Sequence, residues 1–353
     1  MELYVFNPQL NFLGVIDTFS SLRWRRKYYS TGEMELHCAV TSKNQKILAP
    51  ENIIARGDAV ESGVIEGVTM EDSMDGGETI AVTGRFLSSY FDRRIVHTIT
   101  NISGTVEAAM RRLVNENCIS PTDATRIIPL LELGTLNGFA EQCEFQVSYK
   151  NLLTYLENLS TISSIGFRVR ADFHRKSLVF ETYQGLDRSF LQSDRPRMMF
   201  SDEYDNLKSS TYQYNAAAYK NYALVGGEGE GNDRIMVSIG DAQGLDRREL
   251  WVDAKSNRAD GITDDEYRKI LAEAGAVKLA ESVIVENMEA TIEETVGQGY
   301  RTKWDLGDIV SCGKQKWDIA MTVRITEIEE IYENGVQQIV PVLGTPYPDK
   351  IEI

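Results

Sequence analysis

The segments Gly57-Asp58-Ala59-Val60 and Gly307-Asp308-Ile309-Val310 begin the same pattern of residues at two places in the chain. Each Gly-Asp turn is followed by two strand patterns that are joined by a polar turn and end at a glycine. The joining turns are Asp75-Gly76 and Asn334-Gly335, and the final glycines are Gly84 and Gly344. Asp-Gly and Asn-Gly between alternating strands are strong hairpin signals. The repeated pattern therefore predicts two related β domains in one chain.

Each Gly-Asp turn also has a local explanation that does not need a duplication. Glycine adopts backbone conformations that other residues resist, and aspartate hydrogen-bonds its own turn. Few positions of the two copies are identical, and Leu306 stands in the second copy where Arg56 stands in the first. On the residues alone, both a duplication and two independent turns are open.

Composition limits the class of protein. A chain of 353 residues with 42% hydrophobic residues is long enough for two or three folded domains. The formal net charge of -16 argues against binding a nucleic-acid backbone over the whole surface. The four cysteines are scattered, which predicts free thiols in a reducing cytosol. We expect no signal peptide and no membrane insertion, because no apolar run approaches the roughly 18 residues of a spanning helix.

Changes of hydrophobic period divide the chain into three predicted domains. Residues 1–100 read as strands and turns, typical of a small antiparallel β-barrel or sandwich. Residues 101–205 combine two helical patterns with two short strands, which predicts an α+β middle domain. Residues 206–353 read as a second β-barrel domain with a helical insertion at about 263–290, opened by a Thr263/Glu266 capping box. The predicted class is α+β and mostly β, with two tube-like barrels flanking the middle domain.

One segment has the composition of a nucleic-acid groove. Arg23-Trp24-Arg25-Arg26-Lys27-Tyr28-Tyr29 interleaves basic and aromatic side chains, as grooves for single-stranded nucleic acid do. The alternative is a strand whose long cationic side chains lie over neighbouring strands or a subunit interface. We favour the strand, because no second basic cluster of this density extends the groove. No sequence-specific binding of nucleic acid is expected.

Catalytic and metal-binding patterns find little support. The histidines His37, His97 and His174 have no metal-ligand spacing, and no Gly-x-Ser-x-Gly elbow occurs. We therefore expect a non-enzymatic protein without cofactor or metal. Paired carboxylates for glycoside cleavage stay open in a chain with 53 acidic residues. A cell-wall hydrolase with carboxylates in the middle domain is the first alternative function.

Several short motifs resemble those of siphovirus and prophage tail proteins. They cover nearly the whole chain, and they are Leu22 to Val40, Gly63 to Gly67, Thr83 to Leu87 with Asp92 to Val96, Tyr219-Lys220-Asn221 with Val225-Gly226-Gly227, Asp246 to Asp253, and Leu306 to Val310. The resemblance implies a hub at the distal end of a phage tail, similar to the baseplate hubs of contractile-tailed phages. Such hubs are trimers in which each chain carries two tube-like barrels, so that three chains match a sixfold tail tube.

The resemblance also implies partners and a location in the virion. The expected assembly is a homotrimer that lines an acidic DNA channel in a virion tail, put together in the host cytoplasm. Its expected neighbours are the tail tube or distal tail protein, the tape measure protein, and a spike, fibre or lysin. The residues themselves, rather than the resemblance, make Arg25, Arg26, Arg93 and Arg94 the candidate subunit-interface residues. For Arg93 and Arg94, which follow a predicted barrel strand, ion pairs between chains and a solvated surface pair are both open. A receptor-binding adhesin is the second alternative, for which the chain lacks long β repeats.

Overall fold

The computed structural model describes residues 1–73, 77–147, 149–255, 261–292, 299–333 and 335–345. Strands predominate, as the sequence predicted. The strands are β1 (Leu3–Phe6), β2 (Phe12–Ile16), β3 (Ser21–Lys27), β4 (Glu33–Ala39), β5 (Ile53–Arg56), β6 (Ser62–Val64), β7 (Gly67–Ser73), β8 (Gly77–Arg85), β9 (Thr100–Thr105), β10 (Leu131–Leu133), β11 (Gln142–Val147), β12 (Gly166–Asp172), β13 (Ser177–Tyr183), β14 (Met199–Ser201), β15 (Leu207–Asn215), β16 (Tyr222–Gly226), β17 (Met236–Ile239), β18 (Glu249–Asp253), β19 (Val285–Ile292), β20 (Ile309–Lys314), β21 (Ile319–Glu333) and β22 (Val336–Gly344). The α-helices are α1 (Ser42–Ile47), α2 (Val106–Val114), α3 (Leu152–Ser163) and α4 (Asp264–Ala280).

The first β unit is a two-layered structure. A small sheet in the order β2-β1-β5-β6 faces strands β3, β4, β8 and β7 of a larger sheet. In β4, Met34, Leu36 and Cys38 are buried and alternate with more exposed residues, which is the period of a strand with one face on a core. The buried side chains of both layers, Trp24 among them, form one apolar core between the sheets. Burial of this apolar face drives the two layers together.

The second β unit lies at the end of the chain and, like the first, contains four neighbouring strands of the large sheet. Strands β15, β19, β22 and β21 follow one another in the large sheet, and β20 pairs with both β21 and β14. Its core contains Met288, Val310, Ile325 and Leu343. The core also includes Tyr28, which follows β3 of the first unit. The two β units are therefore packed against each other through side chains far apart in sequence.

One continuous sheet joins the two units. Its strand order is β15-β19-β22-β21-β3-β4-β8-β7, and every neighbouring pair is antiparallel. The sequence predicted two separate barrels, but among the described strands no ladder of backbone hydrogen bonds closes either unit into a barrel. The physical reason is that each edge of a strand can form backbone hydrogen bonds with only one neighbouring strand. The edge of β21 that could close its own unit is occupied by β3.

The middle region places two helices on short sheets. Helix α2 begins after Thr105 and α3 begins after Asn151, and each of these N-cap side chains accepts a backbone N–H. The helices pack against a mixed sheet of order β10-β13-β12. Strands β9 and β11 form a separate two-stranded antiparallel ribbon. The same core includes Leu10, Ile53 and Val64 of the first unit. The middle region thus shares its core with the first β unit.

A smaller unit is inserted before β19. Strands β17, β16 and β18 form a three-stranded sheet, and helix α4 covers one face of it with a separate apolar core. The Thr263/Glu266 capping box predicted from the sequence is confirmed. The helix ends at Ala280, and residues 285–292 form β19 in the large sheet. The helical part of the insertion is therefore shorter than 263–290.

No helix in the part of the chain that the structure describes is both long and apolar enough to span a bilayer. Within the same residues, no group of three or more His, Cys, Asp or Glu side chains is arranged to hold a metal ion.

Candidate functional site at the junction of the two β units

The two β units contain the same order of four antiparallel strands. In the first unit the order is β3-β4-β8-β7, and in the second it is β15-β19-β22-β21. In each case the last two strands in space are the hairpin that follows a Gly-Asp turn. The two sets lie side by side in the same direction, so that β21, the last strand of one set, pairs with β3, the first strand of the other. This arrangement is head-to-tail rather than two-fold symmetric.

The two Gly-Asp turns differ in detail. Gly307 has a φ of +91°, a conformation that favours glycine, and β20 begins directly after Asp308. Gly57 does not have a positive φ, and it follows β5 with β6 beginning only at residue 62. The Asp308 carboxylate is buried and accepts from the Leu186 N–H at 2.7 Å and the Arg188 Nε at 2.8 Å. The two turns precede equivalent hairpins, but they differ in backbone conformation and in the hydrogen bonds of their aspartates.

The predicted hairpin turns are only partly described. Asp75, Gly76 and Asn334 lie outside the described residues. Gly335 has a φ of +78°, which is the conformation that a tight hairpin turn requires of its glycine. The flanking residues are paired across both hairpins, Ser73 with Gly77 and Glu333 with Val336.

The junction ladder places basic residues opposite acidic ones. Strand β3 pairs with β21 from Ser21↔Glu333 to Lys27↔Glu327. On the face of this ladder opposite the apolar cores, Arg25 Nε lies 3.0 Å from a carboxylate oxygen of the buried Glu327, and an Arg25 Nη lies 3.3 Å from Glu33. Cross-strand pairs of opposite charge favour one register over a slipped one. The basic and aromatic segment of the sequence is therefore the strand that joins the two units.

Arg26 points to the other face and is buried in the junction. Its guanidinium contacts the carboxylate of Glu61 at 2.9 Å, the hydroxyl of Tyr300 at 2.9 Å, and the carboxylate of Asp305. Burial opposes the charge on Arg26, but these partners outweigh burial and raise the pKa of Arg26 well above its ordinary value. Arg26 thus links the first unit to the second within one chain.

A second buried ion pair lies beside it. Arg56 Nη2 donates to Glu330 Oε2 at 2.8 Å and to Asp58 Oδ2 at 2.7 Å, and Arg301 donates to the other oxygen of Glu330. The Arg56 side chain is fully buried and its guanidinium lies over the ring of Trp24. Burial would raise the pKa of Glu330, but the two guanidinium groups hold it below its ordinary value. Arg56 and Asp58, on either side of Gly57, are thus part of the junction, and the Arg56 side chain is not accessible from solvent.

Sequence reasoning did not find Glu61, Arg301, Asp305 and Glu330 as members of this cluster. The only available signal was the alternation of β21, which places Glu330 on the same core-facing side of the strand as Ile328, two residues earlier. A glutamate at a core-facing position is buried as a carboxylate only when a cationic side chain from another part of the chain forms an ion pair with it.

Arg93 and Arg94 also have partners within the chain. Arg93 forms a two-pronged ion pair with Glu51 at 2.7 and 3.1 Å and lies over the ring of Tyr90. Arg94 donates from Nε to the carbonyl of Arg126 at 2.7 Å. All four arginines predicted for a subunit interface are therefore held by residues of the same chain, and they lie at two separate places in the fold.

The large sheet ends in two open edges. Strand β7 is one outer edge and β15 is the other, and neither has a second neighbour among the described strands. Met70 of β7 and Tyr214 of β15 are on the core side of their strands, yet they are 48% and 57% exposed. At the internal junction the equivalent core-side positions, such as Trp24 and Ile328, are fully buried. The two outer edge strands therefore expose core-side residues that correspond to those buried where β3 pairs with β21.

The solvent face of the large sheet is acidic. The direct pairings place on this face the carboxylates Glu33, Glu35, Glu71, Glu289, Glu329 and Glu333 and the basic groups Arg23, Arg25 and Arg85, whereas Glu327 and Lys27 in the same phase are buried. The opposite face is covered by the two apolar cores. Carboxylates thus outnumber basic groups on the open face of these strands.

Comparisons with known proteins agree with this architecture. The tail protein from Neisseria meningitidis MC58 has a similar structure, with a TM-score of 0.60 and 11% identity over 97% of this chain and 95% of that one. The 43 kDa tail protein of prophage MuSo2 from Shewanella oneidensis has a TM-score of 0.57 and 10% identity over 98% and 99% of the two chains. The prophage tail protein gp18 from Listeria monocytogenes EGD-e has a TM-score of 0.54 and 12% identity over 99% and 96%.

At such identities these structures show a shared fold. A search of curated protein sequences found no match. The family model of the Siphovirus ReqiPepy6 Gp37-like protein matches residues 2–345. The chain belongs to this siphovirus tail protein family.

Proposed function

We propose that the protein is a non-enzymatic hub of a phage tail, in which three chains close into a ring around the DNA path. The observation that carries this proposal is the repeated strand order with its head-to-tail junction. A head-to-tail contact uses two different surfaces, so it generates a ring when its rotation closes. Three chains contribute six four-stranded units, which suits a sixfold tail tube.

The junctions between chains repeat the junction inside the chain. Strand β7 ends the first unit as β21 ends the second, and β15 begins the second unit as β3 begins the first. In the ring, β7 of one chain pairs with β15 of the next in an antiparallel ladder. This pairing covers the exposed side chains of Met70 and Tyr214 and satisfies two long open edges, which otherwise promote aggregation.

The ring also assigns a role to the charge of the sheet. The apolar cores and the smaller sheets lie on one side of the large sheet, and these bulky layers find more room on the outside of a ring. The acidic face then lines the channel. Repulsion between these carboxylates and DNA phosphates lets DNA pass without binding. The tail tube or distal tail protein, the tape measure protein, and a spike, fibre or lysin are the proposed neighbours along this axis.

Sedimentation and light scattering of the purified chain test the ring. The 39.7 kDa chain is expected to form a species of about three times that mass. Met70→Lys places a charge on the open edge and should convert the trimer into a monomer, because a lysine on an edge strand opposes pairing. Leu245→Lys is the matched control, because Leu245 is fully exposed in the inserted unit.

A wild-type chain that stays monomeric up to high micromolar concentration refutes ring closure by the chain itself. An equal loss of mass in both lysine variants refutes the role of β7. Release of soluble fragments from purified peptidoglycan by the wild-type protein would instead support the cell-wall hydrolase.

A further inference from the structure

The inserted unit has a sheet face that its helix does not cover. Strand β16 lies between β17 and β18, and α4 packs on the face that carries Ala223, Val225 and Val252. Because strand residues alternate between faces, the other side chains of these strands lie on the opposite face. They include Tyr222, Leu224, Met236, Glu249, Trp251 and Asp253. This face is separate from the junction of the β units and from the two open edges of the large sheet.

Trp251 gives this face an aromatic platform. Its side chain is 49% exposed, and it lies over the backbone of Gly226, where a Cβ would come within 2.4 Å of the Trp251 Cη2. A side chain at position 226 would displace the ring, so the glycine is what lets the indole lie on the sheet. The half-buried Leu224 is the direct neighbour of Trp251 in the register. The exposed ring offers a flat apolar surface whose negative face attracts C–H groups.

Arg234 is held beside this ring. Its Nε donates to the Gly227 carbonyl at 2.9 Å, and its Nη2 donates to the Gly226 carbonyl at 3.1 Å and to Asp253 Oδ1 at 2.6 Å. The guanidinium carbon lies 5.1 Å from the centroid of the Trp251 ring. A guanidinium carries five N–H donors, so the two of Nη1 have no acceptor among the described residues. The contacts of Asp253 within the same residues engage Oδ1, which leaves Oδ2 for another donor.

The charged groups of this face are paired with one another. Arg234 pairs with Asp253 at 2.6 Å, and Arg247 pairs with Glu249 at 2.6 Å while its guanidinium covers the ring of Tyr222. Two guanidinium groups and two carboxylates leave these pairs with no net charge. A nucleic-acid backbone requires cations that are not already neutralised. An apolar protein surface would remove water from the Arg234/Asp253 pair without satisfying its free donors and acceptor.

We propose that this face binds an uncharged polysaccharide, with one sugar ring stacked on Trp251 and adjacent hydroxyls bridging Arg234 and Asp253. A hydroxyl both donates and accepts, so neighbouring hydroxyls can accept from Arg234 Nη1 and donate to Asp253 Oδ2. The C–H groups of the sugar ring meet the face of the indole. Backbone carbonyls already fix Arg234, which reduces the side-chain freedom lost on binding. The site is complete within one chain, so it does not depend on ring closure.

NMR of the indole N–H groups in the whole chain, with nitrogen-labelled tryptophan, tests the site. The probes are maltohexaose, cellohexaose and N-acetylchitohexaose. At least one of them is expected to shift the Trp251 signal and to leave the signals of the buried Trp24 and Trp304 unchanged. In calorimetric titrations with that sugar, Trp251→Ala and Asp253→Ala should each weaken binding by about tenfold or more, because they remove the stacked ring and the charged acceptor.

Trp317→Ala is the matched control. Trp317 is 43% exposed and also has a cation over its ring, the Lys314 ammonium at 4.2 Å from the centroid, but it lies outside the inserted unit. This variant should bind the sugar as the wild type does.

Three outcomes overturn the proposal. The first is an unchanged Trp251 signal with all three sugars up to about 10 mM. The second is a larger shift with hexathymidylate or with acetyl-hexaproline-amide than with any of the sugars, which assigns the face to a nucleic acid or a peptide. The third is unchanged sugar binding in both alanine variants of the site, with Trp24 and Trp304 signals that show that the variants are folded.

Discussion

Gly307→Ala should destabilise the protein strongly, whereas Gly57→Ala should not. Gly307 has a φ of +91°, and a Cβ there would lie 2.3 Å from Cε2 and 2.7 Å from Cδ2 of Tyr28. The Tyr28 ring is fully buried, and its hydroxyl donates to the Ser164 carbonyl at 2.9 Å, so the ring cannot move away freely. A strained backbone conformation costs about 1–3 kcal/mol and overpacking about 1–3 kcal/mol more. The expected loss is about 2–6 kcal/mol, a large part of the roughly 5–15 kcal/mol that stabilises a domain.

The control comes from the equivalent turn of the first unit. A Cβ at Gly57 would meet only Tyr4 Cε2 at 3.8 Å, which is ordinary contact, and the φ of Gly57 is not positive. Gly57→Ala should therefore change the free energy of unfolding by less than about 0.5 kcal/mol.

Urea titrations that follow tryptophan fluorescence measure both variants, because Trp24 and Trp304 report the cores of the two β units. The chain contains several cores, so the midpoint of each transition is compared separately. Equal midpoints for Gly307→Ala and the wild type would refute the close contact with Tyr28. A similar loss in both alanine variants would refute the difference between the two turns.

Two further predictions concern buried carboxylates. Glu107→Gln should lower stability by about 2 kcal/mol at pH 7, because its carboxylate accepts the Asn137 and Gly138 N–H groups and the Thr182 hydroxyl. These bonds outweigh burial and hold the pKa of Glu107 below its ordinary value of 4.5, so its contribution is present above about pH 4.5 and is lost as the pH falls through the folded-state pKa. A stability difference between variant and wild type that stays constant from pH 7 to 3 contradicts this. Glu330→Gln should cost about 3–5 kcal/mol, because Asp58 alone then faces the guanidinium groups of Arg56 and Arg301, and one of the two charges loses its buried counter-ion. Asp58→Asn should cost far less in the same titrations, because the Asp58 side chain is exposed, and equal losses would contradict the buried pair.

Local patterns predicted much of the fold correctly. The two helical patterns of the middle region and the Thr263/Glu266 capping box of α4 are properties of neighbouring residues, and the structure confirms them. The N-cap residues Thr105 of α2 and Asn151 of α3 were not predicted. The repeated hairpin after each Gly-Asp turn was also visible, because turn residues and strand period are local. The Thr263 capping box defined the start of α4, but the pattern did not show that the helix ends at Ala280.

The candidate site was predicted only in part. The basic and aromatic segment was correctly interpreted as a strand, but nothing in it indicated that Arg25 would face Glu327 or that Arg26 would meet Asp305. These partners lie about 300 residues away in the sequence. Burial of Glu330 likewise depends on Arg56, which belongs to the other unit.

The sequence by itself determined the mostly β class, the repeated hairpins and the absence of recognisable catalytic spacing, since these follow from period, turn chemistry and short-range motifs. Only the tertiary structure decided that the repeats form one continuous sheet rather than two separate barrels. The physical reason is that every strand edge offers the same backbone donors and acceptors. Which edge it pairs with depends on side chains brought together by folding, here the cations of β3 and the glutamates of β21.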